Sequence, residues 1–438
     1  KGDSTAPGPV LKSTAEDKVF VYYADHGGPG ILGVPYGAGD YIHASDLNDA
    51  LVAMHTQGMY SELLFYLEAC ESGSIFANLL KAPSVKAVTA ANPTESSWGY
   101  YCPPQDQVQG KSIGSCLGDE FSIHWMEDAD VADFKTETIG QQVKNVTALT
   151  AKSHVTEYGD SSFDGEVIGH FEGSVDGSSI GLSHGETKDG GAVNSRDVEV
   201  HLAYYKVLRA ESAETRKQAE KALAALLASR AEVDAKFQKI ADLATKGDQS
   251  KAEELLEGQV KDLKDAVCHK ESLRAATQAC GSFNDYALRY SRLFANMCNV
   301  GMGMEEILSA VEEGCGSTSS CTGSGDPVAP ACYSGSAGAL GVTETVTVTL
   351  DKYSSGSGQM DFAGTGVESI NCKAKQFTKS GQAISLDVSD CVPSGVTVKS
   401  VEYCSDSDTI AVSVGVKLVP LPIKATLKKV ACSSEVVV

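Results

Sequence analysis

No stretch of this sequence approaches the ~18 uninterrupted apolar residues of a membrane helix, and no charged-then-apolar leader precedes its first motif. A soluble chain without a membrane span is expected, and one that opens on Lys1 rather than Met is expected to be processed or truncated. Positive charge is scarce. Thirty-six Lys and Arg stand against 58 Asp and Glu, and the net charge of −22 repels phosphate backbones and anionic bilayers. Nucleic acid is thereby excluded as a partner. Also missing are any Cys-x-x-Cys pair and any Cys/His group at zinc-ligand spacing, so neither a metal nor another cofactor is expected.

With those classes set aside, 438 residues at roughly 150 per domain point to about three domains, and 42% hydrophobic residues suffice to bury their cores. Thirteen cysteines favour a disulfide framework made in an oxidising compartment, and the odd count leaves at least one thiol over. The sequon Asn145-Val146-Thr147 marks Asn145 for glycosylation and agrees with a secretory route.

Residues 1–170 read as an α/β domain with a parallel sheet. Lys18 to Ala24 is an apolar and aromatic run opening into Asp25-His26-Gly27-Gly28-Pro29-Gly30; Leu63 to Leu67 ends in Glu68-Ala69-Cys70-Glu71-Ser72-Gly73; Val85 to Ala90 makes a third strand. Between the first two, Ser45 can cap a helix whose Leu47, Ala50, Leu51 and Met54 share one face. Residues 171–199 carry Gly, Ser and Asp in linker proportions, and 200–315 is a helical bundle whose Cys268, Cys280, Cys298 and Cys315 can supply two staples of undetermined pairing. A second Gly/Ser-rich linker is expected over 316–339. From 340 to 438, β-branched runs at Val342 to Thr349, Ile384 to Val388, Val396 to Val401 and Thr409 to Leu418 predict an all-β sandwich or barrel with enough cysteines for three bridges from Cys321 onward.

Two strand ends carry the chemistry. Ligands collect outside the carboxyl ends of parallel strands, and here one strand ends at His26 and the next at Cys70. The thiolate is the reactive form of cysteine, so an imidazole that takes the thiol proton and returns it to a leaving amine is the least machinery acyl transfer needs. Gly27 can offer its N–H, with that of Cys70, as an oxyanion hole. A lone buried Cys is usually a small hydrophobe. Placing it beside a His changes that, and removing Cys70 from the count leaves twelve cysteines, which can pair completely.

His26 lies upstream of Cys70 at a spacing similar to that of the caspase dyad. More specifically, Tyr22 to Gly30, Glu68 to Ser74, Ala90 to Ser97 and Trp125-Met126-Glu127-Asp128 resemble, in order, four motifs of the legumain family of asparaginyl endopeptidases. The likeness covers about residues 10–315, and Val193-Asn194-Ser195-Arg196-Asp197 looks closer to plant-type members. It implies a caspase-like α/β domain that cleaves after Asn, more weakly after Asp, at acidic pH, with His26 and Cys70 as the catalytic pair. It also implies a specificity pocket containing Glu68, Ser97 and Asp119. Carboxylates and a hydroxyl can accept from the NH₂ of an Asn side chain, which makes chemical sense of that set. Asp25 matches a family position without a chemical step.

The family's first strand carries an Asn that orients the His and an Arg-His pair lining the pocket; this sequence begins after them, so it is expected to be an N-terminally truncated fragment, or else impaired. Gly28-Pro29 and Gly99 look like the forms associated with hydrolysis, leaving peptide ligation as a minor activity. The helical segment resembles the family's C-terminal prodomain, an inhibitor released by self-cleavage at low pH. Asn194, in an exposed linker, is the expected cut. A Cys102–Cys116 bridge beside the pocket is implied by likeness to plant-type members. The expected setting is the secretory pathway, ending in a vacuole-like or lysosome-like acidic compartment or outside the cell. The β domain has no counterpart in the resemblance, and its ligand is not assigned. The competing expectation is a non-catalytic scaffold in which a truncated peptidase domain carries a ligand-binding β domain.

Overall fold

The computed structural model describes residues 10–35, 41–173, 190–315, 325–339, 342–365, 370–392, 396–405, 408–416 and 423–432. Their contacts form two units, one from residues within Lys1–Val34, Tyr41–Leu273 and Phe283–Ile307, the other from Pro35 and residues within Arg274–Ser282 and Leu308–Val438. Among the described residues no helix is long and apolar enough to cross a membrane.

The first unit begins with β1 (Lys18–Ala24), the short strands β2 (Gly27–Gly28), β3 (Ile31–Leu32) and β4 (Ile42–His43), and helix α1 (Ala44–Thr56). There follow β5 (Glu62–Glu68), β6 (Val85–Thr89), β7 (Trp98–Tyr100), the hairpin β8 (Gln107–Val108) and β9 (Lys111–Ser112), and β10 (Gly118–Asp119). Then come α2 (Glu120–Val131), α3 (Ile139–Leu149), β11 (Thr156–Gly159) and β12 (Val193–Asn194). The main sheet has the order β1-β5-β6-β11. Its first three strands are parallel, as the apolar runs predict, but β11 pairs antiparallel with β6, so the sheet is mixed rather than parallel.

Strand β5 explains its own continuous hydrophobicity. Successive side chains point to opposite faces. Leu63, Phe65 and Leu67 pack with Ala44 and Leu51 of α1, while Leu64 and Tyr66 pack with Phe121 and Trp125 of α2 and Ile139, Val143 and Val146 of α3. Both faces are covered, so a strand without polar alternation is required. One capping expectation is corrected: α1 begins at Ala44, one residue before Ser45, and His43 at its N-cap makes no side-chain capping bond.

Helices continue with α4 (Val198–Leu208), α5 (Ala213–Ala244), α6 (Gln249–Glu257), α7 (Ala266–Cys280), α8 (Ser291–Asn299) and α9 (Met304–Gly314). Helices run through much of 200–315, where a bundle is expected; Cys268 is bridged to Cys298 and Cys280 to Cys315. The linker expected over 171–199 is corrected at its end. Residues 174–189 lie outside the described residues, but Val193 and Asn194 form β12, paired antiparallel with β7 and only half-exposed.

In the second unit, β13 (Ala331–Ala339), β14 (Val342–Ser354), β15 (Ser357–Thr365), β16 (Ile370–Ser380), β17 (Ala383–Leu386), β18 (Val396–Cys404), β19 (Thr409–Val416) and β20 (Ile423–Val430) close into a barrel. Every neighbour is antiparallel, with β13 pairing both β14 and β20. Val346, Val348 and Leu350 point inward at period two, joined by Met360, Phe362, Phe377, Val401 and Tyr403. Cys332–Cys432 and Cys372–Cys391 are bridged, and Cys404 is disulfide-bonded as well. The linker expected over 316–339 is also corrected. Its Gly- and Ser-rich end is β13, which takes its ladder from two flanking strands and so does not depend on β-branched residues of its own.

Candidate active site

Strands β1 and β5 run parallel in a register that sets Ala24 opposite Glu68, so the turns holding His26 and Cys70 leave from the same edge of the sheet. Asp25 N donates to Glu68 O at 3.1 Å, and Gly30 N donates to Ser74 Oγ at 2.8 Å, tying the two turns together. Gly27 lies directly against the cysteine: a Cβ there would stand 2.6 Å from Cys70 O. Gly33 N donates to His26 O and Gly27 faces Leu32, so Gly27 occupies a non-hydrogen-bonded position of the β2–β3 ladder and turns its N–H away from β3. Glu71, next after the cysteine, takes the left-handed conformation at φ 48°, an uncommon backbone for a residue with a side chain.

Cys70 is the free cysteine of the described residues, and it is buried. Burial pushes its thiol pKa up, which the nearby Arg196 guanidinium opposes. Its Sγ lies 3.6 Å from Ser97 Oγ. His26 keeps its backbone N–H on Asp25 Oδ1 at 2.7 Å, but its ring is engaged elsewhere, with Nε2 3.1 Å from Asp285 Oδ2. That hydrogen bond raises the His26 pKa against the effect of burial and lowers that of Asp285.

The residues expected to form a specificity pocket lie near the pair. Glu68 is 2% exposed, and its Oε2 accepts from Ser122 N at 2.9 Å and Ser122 Oγ at 2.8 Å. Tyr22 OH donates in turn to Ser122 Oγ at 2.8 Å. Burial first, then the charge of Asp119, drives the Glu68 carboxyl well above its ordinary range. Asp119, at the junction of β10 and α2, is likewise raised by burial and partly offset by His26. Two carboxyl groups and an imidazole thus share one electrostatic neighbourhood, where one proton more or less matters.

The chain's own β12 and the residues after it lie against Ser97, Gly27 and Glu71. Val193 pairs with Gly99 and Asn194 with Trp98, and Ser195 N donates to Ser97 O at 3.0 Å. The Asn194 side chain turns back to accept from Arg196 N at 3.0 Å, so the residue expected in an exposed linker is a half-buried strand end. Arg196 donates to Glu71 Oε2 at 2.6 Å and to Gly27 O at 3.0 Å; Arg292 of α8 lies 3.4 Å from Glu71 Oε1. Neither arginine was given a role on sequence alone, because their partner is 125 and 221 residues away.

Farther out, Cys102 and Cys116 are bridged. Inside that loop Asp106 accepts from both terminal nitrogens of Arg209 at 2.9 and 2.8 Å, which holds its carboxyl far below the usual range. Lys270 of α7 meets Asp46 of α1 at 2.7 Å. His269, fully buried, sets Nε2 3.2 Å from Ser291 O and its ring where a Gly30 Cβ would fall, about 3.0 Å away. Burial, then His43, pushes its pKa down to about 3. Asn145 sits within α3, and its Nδ2 donates to Asp128 and to Glu137, each at 3.2 Å. Among the described residues no group of three or more His, Cys, Asp or Glu is placed to hold a metal ion.

Comparison with known proteins agrees with this layout. Residues 1–174 match the family model described as Peptidase C13 family, and residues 221–315 match that of the legumain prodomain. A vacuolar-processing enzyme of Vicia sativa is 37% identical over 329 residues, covering 71% of this chain and 66% of that protein. One from Ricinus communis is 34% identical, with 74% and 67% covered, and the delta-isozyme of Arabidopsis thaliana is 34% identical, with 70% and 68% covered. The chain spans about two thirds of the length of these relatives. Neither family match reaches the barrel.

Proposed function

The chain belongs to the Peptidase C13 family, and from that premise we propose that it is a legumain-type cysteine endopeptidase that cleaves after Asn, more weakly after Asp, and is made as a zymogen activated at acidic pH. The observation that carries this reading is the placing of the free thiol of Cys70 and of His26 on neighbouring parallel strand ends, with Gly27 pressed against Cys70. Such a caspase-like arrangement supplies each step. His26 takes the thiol proton, and the thiolate attacks the carbonyl carbon. The N–H groups of Gly27 and Cys70 hold the oxyanion. Collapse expels the amine with the proton from His26. Water, deprotonated by His26, then opens the thioester, the acid leaves, and the thiol is restored. An amine in place of water gives ligation, a minor activity.

The docked segment supports the zymogen reading. β12 adds to β7 as an extended peptide substrate adds to a sheet edge. Arg196 is bound to Gly27 O and Glu71, and His26, whenever it is protonated against Asp285, has no lone pair for the thiol proton. Asn194 is the proposed self-cleavage site. Its side chain is folded onto Arg196 N, so the turn must open before it can enter a pocket. An acidic, vacuole-like compartment suits this chemistry and the names of the relatives.

The test uses protein expressed from the whole reading frame, incubated at about pH 5 with a fluorogenic peptide ending in Asn. Turnover that Cys70→Ala abolishes, with cleavage near Asn194, supports the proposal. A folded, processed protein without turnover leaves instead a binding protein built on a peptidase fold.

A further inference from the structure

Glu68 has two carboxyl oxygens, and the structure treats them differently. Oε2 accepts two hydrogen bonds from Ser122, one from its backbone N–H and one from its hydroxyl. Because that hydroxyl already accepts from Tyr22 OH, its single proton is committed to Glu68. The backbone donor is equally fixed. Ser122 lies in the first turn of α2, where N–H groups lack partners within the helix and the helix dipole favours a carboxylate. Oε1 is buried and, among the described residues, has no hydrogen-bond partner. In a cluster otherwise satisfied, a buried acceptor left open marks the atom kept for a ligand.

We propose that Ser122, held in turn by Tyr22, is a positioning residue for specificity: it pins Glu68 so that one atom, Oε1, reads the side chain of the residue before the scissile bond. The inference rests on the endopeptidase reading above and extends it to residues outside the reacting pair. When Glu68 is ionised, Oε1 accepts from a carboxamide NH₂. When Glu68 is protonated, Oε2 is occupied by two donors, so the proton resides on Oε1 and is offered to the carboxamide oxygen. An ionised Asp side chain has no NH₂ to give Oε1 and adds charge beside two carboxyl groups whose own ionisation burial already opposes, so it is disfavoured. Without the Ser122 hydroxyl the carboxyl can rotate, both oxygens compete for the ligand, and the preference for carboxamide over carboxylate falls.

The experiment compares wild type, Ser122→Ala, Ser122→Thr and Tyr22→Phe in the full-length, acid-processed protein. Two peptides that differ only in Asn or Asp before the cleaved bond are assayed from pH 4 to 7. The proposal predicts that Ser122→Ala loses about ten-fold in kcat/KM for the Asn peptide, the scale of one hydrogen bond to a charged group. The Asp peptide loses less, so the Asn-to-Asp ratio drops. Ser122→Thr restores the ratio, and Tyr22→Phe lies between. Iodoacetamide modification of Cys70 keeps its wild-type rate, as a merely structural defect would not allow. An unchanged ratio in Ser122→Ala, or equal losses on both peptides, overturns the proposal. Protection of Cys70 from iodoacetamide by saturating short Asn and Asp peptide amides measures the same preference without turnover. Absent turnover with an intact binding preference therefore counts against the endopeptidase reading, whereas a preference indifferent to Ser122 counts against this one.

Discussion

Gly27 has no room for a side chain. A Cβ would stand 2.6 Å from Cys70 O and 3.0 Å from Ala69 Cβ, both fixed by the end of β5, so Gly27→Ala must push the two turns apart. Turnover is predicted to fall at least 100-fold, the cost of a lost oxyanion donor, while the circular dichroism spectrum is kept; near-normal turnover would contradict the assigned oxyanion hole. Asp285 acts on the other partner. Its hydrogen bond raises the His26 pKa, so Asp285→Asn should return His26 toward the ordinary value of ~6.5. Imidazole NMR titration in a Cys70→Ala background checks this, and an unmoved His26 would sink it. The sign matters for activation. The ion pair is intact between the depressed pKa of Asp285 and the raised pKa of His26 and is lost as pH rises above the latter, so moderate acid strengthens this contact. The proposed release at low pH would therefore have to come from elsewhere.

Helix α7 supplies a source. His269 is neutral while buried on Gly30, with its pKa pushed down to about 3 by burial and by His43, and Ser291 O is its hydrogen-bond partner. Solvated, it returns to ~6.5 and binds a proton that the docked state refuses. Docking is at full strength above that value and weakens as pH falls, by about 2 kcal/mol near pH 5. His269→Leu should therefore move the exposure of Cys70 to iodoacetamide to lower pH; an unchanged midpoint would contradict the assignment. By contrast, the Asp106 and Arg209 pair keeps its charges at any such pH, because the carboxyl is held far below the usual range. The element that pairs with β7 beside the site, β12, was hidden from sequence reading. Two residues flanked by Gly, Ser and Asp carry no periodicity, and only pairing with β7 makes them a strand. The apolar runs of β1, β5 and β6 were legible because a strand buried on both faces has to be continuous. Four barrel strands, β14, β17, β18 and β19, showed through their β-branched residues. The Gly-, Ser- and Lys-interrupted β13, β15, β16 and β20 did not, since the closed ladder rather than propensity sustains them.

Across the whole molecule, buried titratable groups lie in the peptidase part as well as in the helical part. Asp128, Glu137 and Glu172 lie around Asn145 and Gln142, and burial pushes Glu137 up to about 7 and Glu172 up to about 8. A carboxyl whose folded pKa is raised binds more proton folded than unfolded, so stability is present at low pH and declines as pH climbs from about 4.5 through those values. Tm should be lower at pH 8 than at pH 5, and Glu137→Gln with Glu172→Gln should shrink that difference; an equal difference in the double variant would rule the cluster out. His26, Gly27 and Cys70 could be proposed from sequence because they sit in local motifs at strand ends, whereas Glu68, Ser97 and Asp119 came only through the family resemblance. Arg196, Arg292, Asp285 and Ser122 were not legible, because each acts on a partner that only the folded chain brings near. The most direct test of the account is intact-mass and peptide-map analysis of the full-length protein treated with a short peptide ending in Asn and bearing a thiol-reactive group, at pH 7 and pH 5. The account predicts stoichiometric label on Cys70 at pH 5, little at pH 7, and far less when Asn is replaced by Gln. Folded protein with no label on Cys70 at pH 5, or label indifferent to the Asn, would contradict it.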